Sequence, residues 1–518
     1  MQQGTATVGL LAGLALLFAG CNNLSQPKAD RVAIAKAEWG QTLLLENPRL
    51  IAEKPALLRV HLVASPGPAR LSEPLTGAVW AGDTFLGNLS FTCPNSIPTS
   101  TKQGTLATTC NATLPASWVV SGLRVEVRAD PRNVLAEKSR TLTPRVELGP
   151  TLHLTVVPVV YQGATATVPD FKPALLAVWP LKGVEYAVRV PYTFSGDLKT
   201  LSGWSGLLNE LHLLRQADGS GRYYYGFVRV SYTSGIAGIG YIGYPVAVGW
   251  DHSGSAPAVM AHELGHNFGR EHAPCDTPDP DPSYPYPDGS IGVWGYDPNG
   301  NSLDPSATAA PLKNPAVHKD LMSYCGPEWV SDYNYYAAWD FLKANPPAPQ
   351  SLPTEGLLFS GRILGDQVVF DPPLRLAAKP EGKPSPYTLR VDGNEYPVYV
   401  LEDSEGVVHF QAKVPVGSFS CVALYRGGRL LAEVQGSVRP QAEPQVSLRE
   451  EGGFLVVRWT GYPFLSLFHV AQDGARTALG LWHKGGESKF ALEGLPPGGS
   501  FEVQLSDGVE VRVFTFPR

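Results

Sequence analysis

The chain has 518 residues, of which 43% are hydrophobic and 17% charged, and its formal net charge is −6. This composition excludes an intrinsically disordered protein and predicts about three or four folded domains. The 54 Gly and 47 Pro residues favour turns and short strands over a helical bundle or a coiled coil. Because the sequence contains no block of basic residues, we expect no nucleic-acid partner.

The N-terminus has the pattern of an export signal. Residues 8–20 are almost wholly apolar or small, and the run is too short to span a bilayer as a permanent helix. It ends in Ala-Gly-Cys, which resembles the lipobox of bacterial lipoproteins, where the cysteine is acylated and becomes the new N-terminus. We therefore expect a lipoprotein signal peptide at 1–20, lipidation at Cys21 and a tether at 21–30. A plain secretory signal with an incidental cysteine is the alternative.

Either signal exports the mature chain. No later segment approaches 18 consecutive apolar residues, so we expect contact with the membrane only through a lipid anchor, at the outer membrane or cell surface.

Disulfides are permitted outside the cytoplasm. Cys93 and Cys110 bracket a short loop rich in Ser, Thr and Pro and could close it, whereas Cys421 lies in an apolar run that indicates a buried free thiol.

The first half of the mature chain divides at Gly149-Pro150. We expect an N-terminal β-sandwich at 31–150, where residues 123–129 alternate as a half-buried strand does. Strands and helices are expected to mix in residues 151–345. Here the apolar spacing predicts strands at 152–161 and 223–232, a helix at 204–215, and one glycine-rich extended segment at 236–250.

The second half of the chain is predicted to be β again. A stiff Pro-rich linker is expected at 346–356. It precedes a β-sandwich at 357–440 and a last β domain at 441–518, which loosely resembles a fibronectin type III module. Gly-Gly and Asp-Gly dipeptides supply hairpin signals in these two domains. The fold class is therefore multidomain, with an α+β domain flanked by all-β sandwich domains.

An extended motif, H-E-x-x-H-x-x-G-x-x-H, begins at His262. On a helix His262 and His266 lie about one turn apart on one face, so both imidazoles can reach a single Zn²⁺. Glu263 is offset around the helix and can bond the metal-bound water without being a ligand. Gly269 can end the helix with a positive φ, after which His272 approaches from another direction. Three neutral imidazoles leave a fourth position open, which is typical of a catalytic zinc site.

The motif resembles that of the metzincin clan of zinc endopeptidases and implies a metzincin-like catalytic domain at 151–345. That clan has a Met-turn below the metal, tens of residues after the third histidine, and Met322 occupies this place. The resemblance implies that Met322 forms an apolar floor under the ligands. Tyr324 matches a tyrosine that astacins and serralysins place near the metal, as a removable ligand or a transition-state donor. Simple packing of Tyr324 is the alternative.

Residues 261–269 together with Cys275 and Cys325 look most like the reprolysin-like bacterial metzincins, some relatives of which cut glycoproteins such as mucins. If the Met-turn runs beneath the metal, Cys275 and Cys325 are carried into one neighbourhood. We therefore expect a disulfide between them, although the sequence alone does not fix the pairing. It would pin the Met-turn to the turn that carries the third histidine.

Four loop acids offer oxygen ligands that could hold Ca²⁺: Asp276, Asp279, Asp281 and Asp288. Their spacing matches no EF-hand, and solvated loop acids are the alternative interpretation. Calcium is therefore a secondary cofactor hypothesis beside Zn²⁺.

These observations predict an exported, lipid-anchored zinc metalloendopeptidase. It would hydrolyse peptide bonds of proteins or glycoproteins, with Glu263 assisting attack by the zinc-bound water. We expect a monomer, with an extended substrate pairing along the glycine-rich segment 236–250. The alternative is a surface adhesion or glycan-binding lipoprotein whose metzincin domain is an inactive scaffold. An intact Glu263 argues against it, because a scaffold needs no general base.

Overall fold

The fold is known from a computed structural model, and it is mostly β. The predicted signal peptide, the tether with Cys21 and most of the Pro-rich linker lie outside the described residues. No helix in the described part of the chain is long and apolar enough to cross a membrane. The structure describes residues 31–129, 139–231, 234–346, 354–436 and 443–518.

The N-terminal domain consists of two four-stranded antiparallel sheets, in the orders β2-β1-β4-β7 and β6-β5-β8-β9, and a short parallel pair, β3-β10. Val60, Val79 and Val125 are fully buried in the core of this domain. The predicted disulfide between Cys93 and Cys110 is confirmed and ties the segment that follows β6 to the start of β7. The strands are β1 (Arg31–Gly40), β2 (Leu44–Leu45), β3 (Arg49–Ile51), β4 (Ala56–Ser65), β5 (Thr76–Ala81), β6 (Thr84–Ser90), β7 (Cys110–Leu114), β8 (Leu123–Arg128), β9 (Ser139–Leu142) and β10 (Arg145–Glu147).

The second domain combines a mixed sheet with four α-helices. Its elements in chain order are β11 (Thr151–Tyr161), β12 (Ala164–Thr165), α1 (Lys172–Val178), β13 (Gly183–Val188), β14 (Tyr192–Phe194), α2 (Leu201–Ala217), β15 (Tyr223–Val228), β16 (Gly238–Gly240), β17 (Val246–Trp250), α3 (Ala256–Asn267), β18 (Gly295–Tyr296), β19 (Leu312–Lys313), β20 (Lys319–Asp320), β21 (Glu328–Trp329) and α4 (Asp332–Ala344).

The sheet of this domain runs β12-β11-β15-β17-β16, with β13 and β14 also paired to β11. Strand β16 is antiparallel to its neighbour β17 and forms an edge. The prediction of one extended segment at 236–250 is wrong, because a turn that includes Gly243 and Pro245 divides it into β16 and β17. Alternate residues of β15 face opposite sides of the sheet: Phe227 packs with α1 and α3, whereas Val228 packs with α2.

The third domain is one seven-stranded antiparallel sheet in the order β23-β22-β26-β25-β24-β27-β28, where a two-sheet sandwich was expected. A second sheet is not needed on one side, because Leu358 and Leu374 pack directly into the apolar core around α2. Cys421 is a free thiol as expected, but it is only half-buried. The strands are β22 (Gly356–Leu364), β23 (Gln367–Leu376), β24 (Lys383–Val391), β25 (Asn394–Glu402), β26 (Val408–Val414), β27 (Cys421–Arg426) and β28 (Arg429–Gln435).

The last domain has two sheets, β29-β30-β33 and β32-β31-β34-β35, as expected of a sandwich. Val457, Leu467 and Val503 are fully buried in its core. The strands are β29 (Val446–Glu451), β30 (Phe454–Trp459), β31 (Phe464–Val470), β32 (Arg476–His483), β33 (Glu487–Ala491), β34 (Ser500–Ser506) and β35 (Val511–Pro517).

Helix α2 joins the second domain to the two domains that follow it. Its residues 204–216 are all buried, polar ones included. Leu207 shares an apolar cluster with Leu374 of the third domain and Trp482 of the last. A helix that is buried all round belongs to the interior of a larger unit. The C-terminal β domains are therefore packed onto the helix-containing domain over an apolar core.

Candidate metal centre

Helix α3 carries the first two histidines of the motif. Pro257 lies in its first turn, where the absent N–H costs no helical hydrogen bond. Gly269 follows the helix with a φ of +75°, and the Arg270 N–H donates to the Gly265 carbonyl oxygen at 3.0 Å. This left-handed turn ends the helix and returns the chain so that His272 faces it, as predicted.

The three histidines converge on one point. Their candidate ligand atoms all lie within 4.8 Å of one another. The Nδ1 atoms of His262 and His266 each lie 2.7 Å from a backbone carbonyl oxygen, those of Leu321 and Arg270. A carbonyl oxygen only accepts, so each Nδ1 carries the proton and each Nε2 presents a lone pair.

The two Nε2 atoms of His262 and His266 lie 3.1 Å apart. Two lone pairs facing each other at this distance repel unless a cation lies against both of them. Hydrogen bonds from Nδ1 to backbone carbonyls are also the usual support of metal-binding histidines. The three histidines therefore fit a metal ion.

The histidines are neutral near pH 7. Burial lowers the pKa of His262 to about 4, and burial with the neighbouring His262 lowers the pKa of His272 to about 3. The pKa of His266 is also well below its usual value, because the residue is buried between the other two rings. Neutral imidazole is the form that binds metal, so the site is ready to take an ion without losing protons.

Glu263 lies beside the histidines in a cleft of about 380 Å³. Its side chain is buried, and within the described residues its Oε2 atom has no hydrogen-bond partner. Burial raises the pKa of this carboxyl, and the charges of Glu405 and Asp403 raise it further. A Cβ atom on Gly238 would lie only 2.7 Å from the Glu263 side chain, so this glycine makes room for it at the edge strand β16.

Met322 lies under α3, fully buried in the core of the domain. A Cβ atom on Gly265 would lie 2.4 Å from the Met322 Sδ, so the helix and the Met-containing turn are in close contact. Sequence reasoning missed Asp320, which is buried and accepts hydrogen bonds from Met322 N (2.7 Å), Ser331 N (2.8 Å) and the Asn334 side chain (2.9 Å). The Asp320 carboxylate therefore holds the Met322-containing turn in place.

Tyr324 lies at the rim of the cleft. Its hydroxyl is 3.2 Å from His272 Nε2, and the side chain remains 48% exposed.

The predicted disulfide between Cys275 and Cys325 is confirmed. Next to it, the Tyr324 N–H donates to the Cys275 carbonyl oxygen at 3.2 Å. The disulfide thus ties the turn after His272 to the segment that carries Tyr324.

Replacing both Cys275 and Cys325 with Ser should therefore weaken the fold and the site together. The bond spans 50 residues of sequence, and a loop of this size corresponds to about 4 kcal/mol of unfolding free energy. Urea unfolding measures this loss, with Cys421→Ser as the control that removes a free thiol. Equal stability of the double variant and the wild type would contradict the prediction, as would alkylation of both native cysteines.

The four acids considered for Ca²⁺ do not come together. Asp288 pairs with Lys319 at 2.9 Å, and Asp281 accepts from the Tyr333 hydroxyl at 2.8 Å. In the described ranges, the three histidines form the only group of His, Cys, Asp or Glu side chains placed to share one ion. Asp281 and Asp288 are instead used for local hydrogen bonds and an ion pair.

One wall of the cleft comes from a part of the chain that sequence reasoning did not connect with the site. Ser404 and Glu405, in the turn between β25 and β26 of the third domain, line the cleft together with His262, Glu263 and His272. They lie more than a hundred residues beyond the motif, in a segment with no signal of its own. Only the packing of the third domain against α2 and β16 brings them there.

Residues 191–321 match the Peptidase M66 family model. The match includes the three histidines and Glu263, and it supports a peptidase. The chain is also 26% identical over 331 residues to dictomallein of Burkholderia mallei strain SAVP1 and to dictomallein of Burkholderia pseudomallei strain 668. These alignments cover 53% of this chain and 46% of each relative, so the chain spans about half the length of the curated relatives it matches. The candidate metal centre thus lies inside the region that resembles a peptidase.

Proposed function

We propose that the chain is a zinc-dependent endopeptidase with a metzincin-like catalytic domain. The observation that carries the proposal is the convergence of three neutral histidines in an open cleft, beside a buried carboxylate oxygen that has no partner in the described part of the chain. Three nitrogen donors with room for a further ligand are the usual protein contribution to a catalytic Zn²⁺. His262, His266 and His272 would hold the ion.

When bound, Zn²⁺ supplies a Lewis acid that polarises the scissile carbonyl and lowers the pKa of a water molecule. Glu263 receives the proton of the attacking water at its Oε2 atom, which no other described group occupies. As the C–N bond breaks, the Glu263 carboxyl returns this proton to the leaving amine.

Tyr324 is placed to assist at the same centre. Its hydroxyl lies beside His272 and faces the cleft. A phenol donor at this position can stabilise the negative charge that develops on the carbonyl oxygen. We assign it this role, with the Cys275–Cys325 disulfide holding its backbone in place.

The substrate would lie along the edge of β16. Polar groups of Gly240 and Ile242 that face away from β17 are already bonded to the third domain: Gly240 O accepts from Ser404 N at 2.9 Å, and Ile242 N donates to Glu402 O at 3.0 Å. Ile236, Ala237 and Gly238 line the open cleft instead. An extended protein or glycoprotein segment would therefore pair with residues 236–238 rather than along the whole strand.

Metal analysis tests the assignment directly. The purified protein is expected to contain one zinc ion per chain, and His266→Ala should lose it, because His266 contributes an unprotonated nitrogen at the centre of the triad. His252→Ala is the matched control, since His252 is exposed and its ring bonds the backbone carbonyl of Val230, away from the three converging histidines. A zinc-free wild type, or no chelator-sensitive cleavage of casein or mucin, would instead favour a binding protein with an inactive scaffold.

For the location of the enzyme we propose a lipid anchor at Cys21, supported by the lipobox-like sequence. More than one acyl chain is needed for stable anchoring, so a multiply acylated Cys21 would keep the protein in the membrane fraction. Cys21→Ser should move active enzyme to the soluble fraction. A soluble wild type with no acyl mass on its N-terminal peptide would contradict the anchor and leave the peptidase assignment intact.

A further inference from the structure

The turn between β25 and β26 is held against the peptidase domain by its backbone. Ser404 N donates to Gly240 O at 2.9 Å, and Gly240 N donates to the Ser404 Oγ at 3.3 Å. Gly240 ends the edge strand that borders the cleft. The third domain therefore occupies the hydrogen-bonding groups at the end of β16 and contributes side chains to the wall of the cleft.

Asp403 makes this turn rigid. Its carboxylate is fully buried and accepts hydrogen bonds from Ser205 Oγ (3.0 Å), His409 Nε2 (2.8 Å), Glu405 N (3.1 Å) and Val407 N (2.9 Å). The Ser205 contact reaches α2, so the turn is fastened to the peptidase domain through side chains as well as backbone. Glu405 consequently has a fixed position at the cleft.

The Glu405 side chain is half-buried and lines the cleft. Its Oε1 atom lies 3.5 Å from the Tyr324 hydroxyl. Glu328 lines the same cleft, and the lining includes no Lys or Arg. Within the described ranges, neither Glu405 nor Glu328 forms an ion pair. Burial and the charge of Asp403 raise the pKa of Glu405, and burial raises the pKa of Glu328 to about 7. The cleft therefore presents carboxyl groups that lack a counter-ion.

We propose that Glu405 is a specificity-determining residue of the cleft that binds a Lys or Arg side chain of the substrate. The proposal rests on the peptidase function proposed above. A cationic side chain would supply the missing counter-ion and could donate hydrogen bonds to the Glu405 carboxylate. Among the described residues, the buried Oε2 atom of Glu263 in the same cleft also has no hydrogen-bond partner, so polar atoms of the cleft are directed at a ligand. Acidic substrate side chains would be repelled.

Paired peptides that differ only in arginine or citrulline test this directly, because citrulline keeps the shape and removes the charge. The pair is placed at each position flanking the scissile bond in turn. At one position the wild type should prefer arginine in kcat/KM by about 10–100-fold, the range expected for a hydrogen bond to a charged group. Glu405→Gln should reduce this ratio to near one and retain cleavage of the citrulline peptide.

The matched control is Asp366→Asn, which removes one exposed carboxylate from the β22–β23 turn of the same domain and should leave the ratio unchanged. An equal loss on both peptides in Glu405→Gln would show that Glu405 acts only through Tyr324 and would overturn the proposal. A wild-type ratio near one at every position would also overturn it.

A binding measurement separates this proposal from the peptidase assignment. Calorimetric titration of the Glu263→Gln variant with the same peptides measures the arginine preference without hydrolysis. A preference that disappears in the Glu263→Gln/Glu405→Gln double variant would support the subsite even if no peptide were cleaved. Equal binding of arginine and citrulline peptides would refute the subsite while leaving chelator-sensitive hydrolysis to decide the peptidase function.

Discussion

Glu263→Gln is expected to lower kcat/KM for peptide hydrolysis by about 10²–10⁴-fold, the usual contribution of a general base. The amide has nearly the same shape but cannot accept the proton of the attacking water. Because Glu263 is not among the converging ligand atoms, zinc content should not change. Hydrolysis rates and metal content, measured on the same preparation, separate loss of the base from loss of the ion.

Glu271→Gln provides the comparison for this experiment. Glu271 is an exposed carboxylate at a variable position of the motif, directly before His272, and it does not line the cleft that holds Glu263, so its substitution should leave kcat/KM unchanged. Wild-type hydrolysis by Glu263→Gln would show that the proton transfer has been assigned to the wrong residue. Loss of zinc from that variant would show that Glu263 supports the ion rather than the reaction.

Asp403→Ala should strongly destabilise the fold. It removes a buried acceptor of four hydrogen bonds and leaves Ser205 and His409 without their carboxylate partner. Removing one partner of such a buried network costs about 3–5 kcal/mol. The free energy of unfolding, measured in urea, should fall by this amount.

Peptide cleavage by Asp403→Ala should also weaken, because the same carboxylate holds the turn that carries Glu405. Asp366→Ala removes an exposed carboxylate from the same domain. It should change the free energy of unfolding by no more than about 0.5 kcal/mol and should leave peptide cleavage unchanged. If Asp403→Ala unfolded at the wild-type urea concentration, the turn would not depend on this network.

The helical part of the centre could be predicted because its signals are local. The four-residue spacing of His262 and His266 defines one helix face, and Gly269 supplies the turn that returns His272. The division of residues 236–250 into two strands also had a local signal, the nearby Gly243 and Pro245, which the glycine-rich composition obscured.

Other parts of the structure had no local signal. Asp320 and Asp403 are single acids far from the motif, and only tertiary packing gives them their partners. The single-sheet third domain was unpredictable for the same reason. Its strands alternate as sandwich strands do. Residues of one face, such as Leu357 and Phe410, pack together within the domain, whereas Leu358 and Leu374 on the other face pack against α2. The partner of a buried face is decided by the whole fold.

The burial of α2 has a consequence for exchanging parts between proteins. Asn209, His212 and Arg215 point their polar atoms at Asp371 and Glu381 of the third domain, at 2.6–2.9 Å. A peptidase domain grafted onto an unrelated β module would carry these groups into an interface without acceptors, and each unsatisfied group costs about 1–3 kcal/mol. Recombination would therefore have to transfer α2 and the third domain together. A chimera joined at the Pro-rich linker would be less stable than either parent until substitutions removed or satisfied these polar groups.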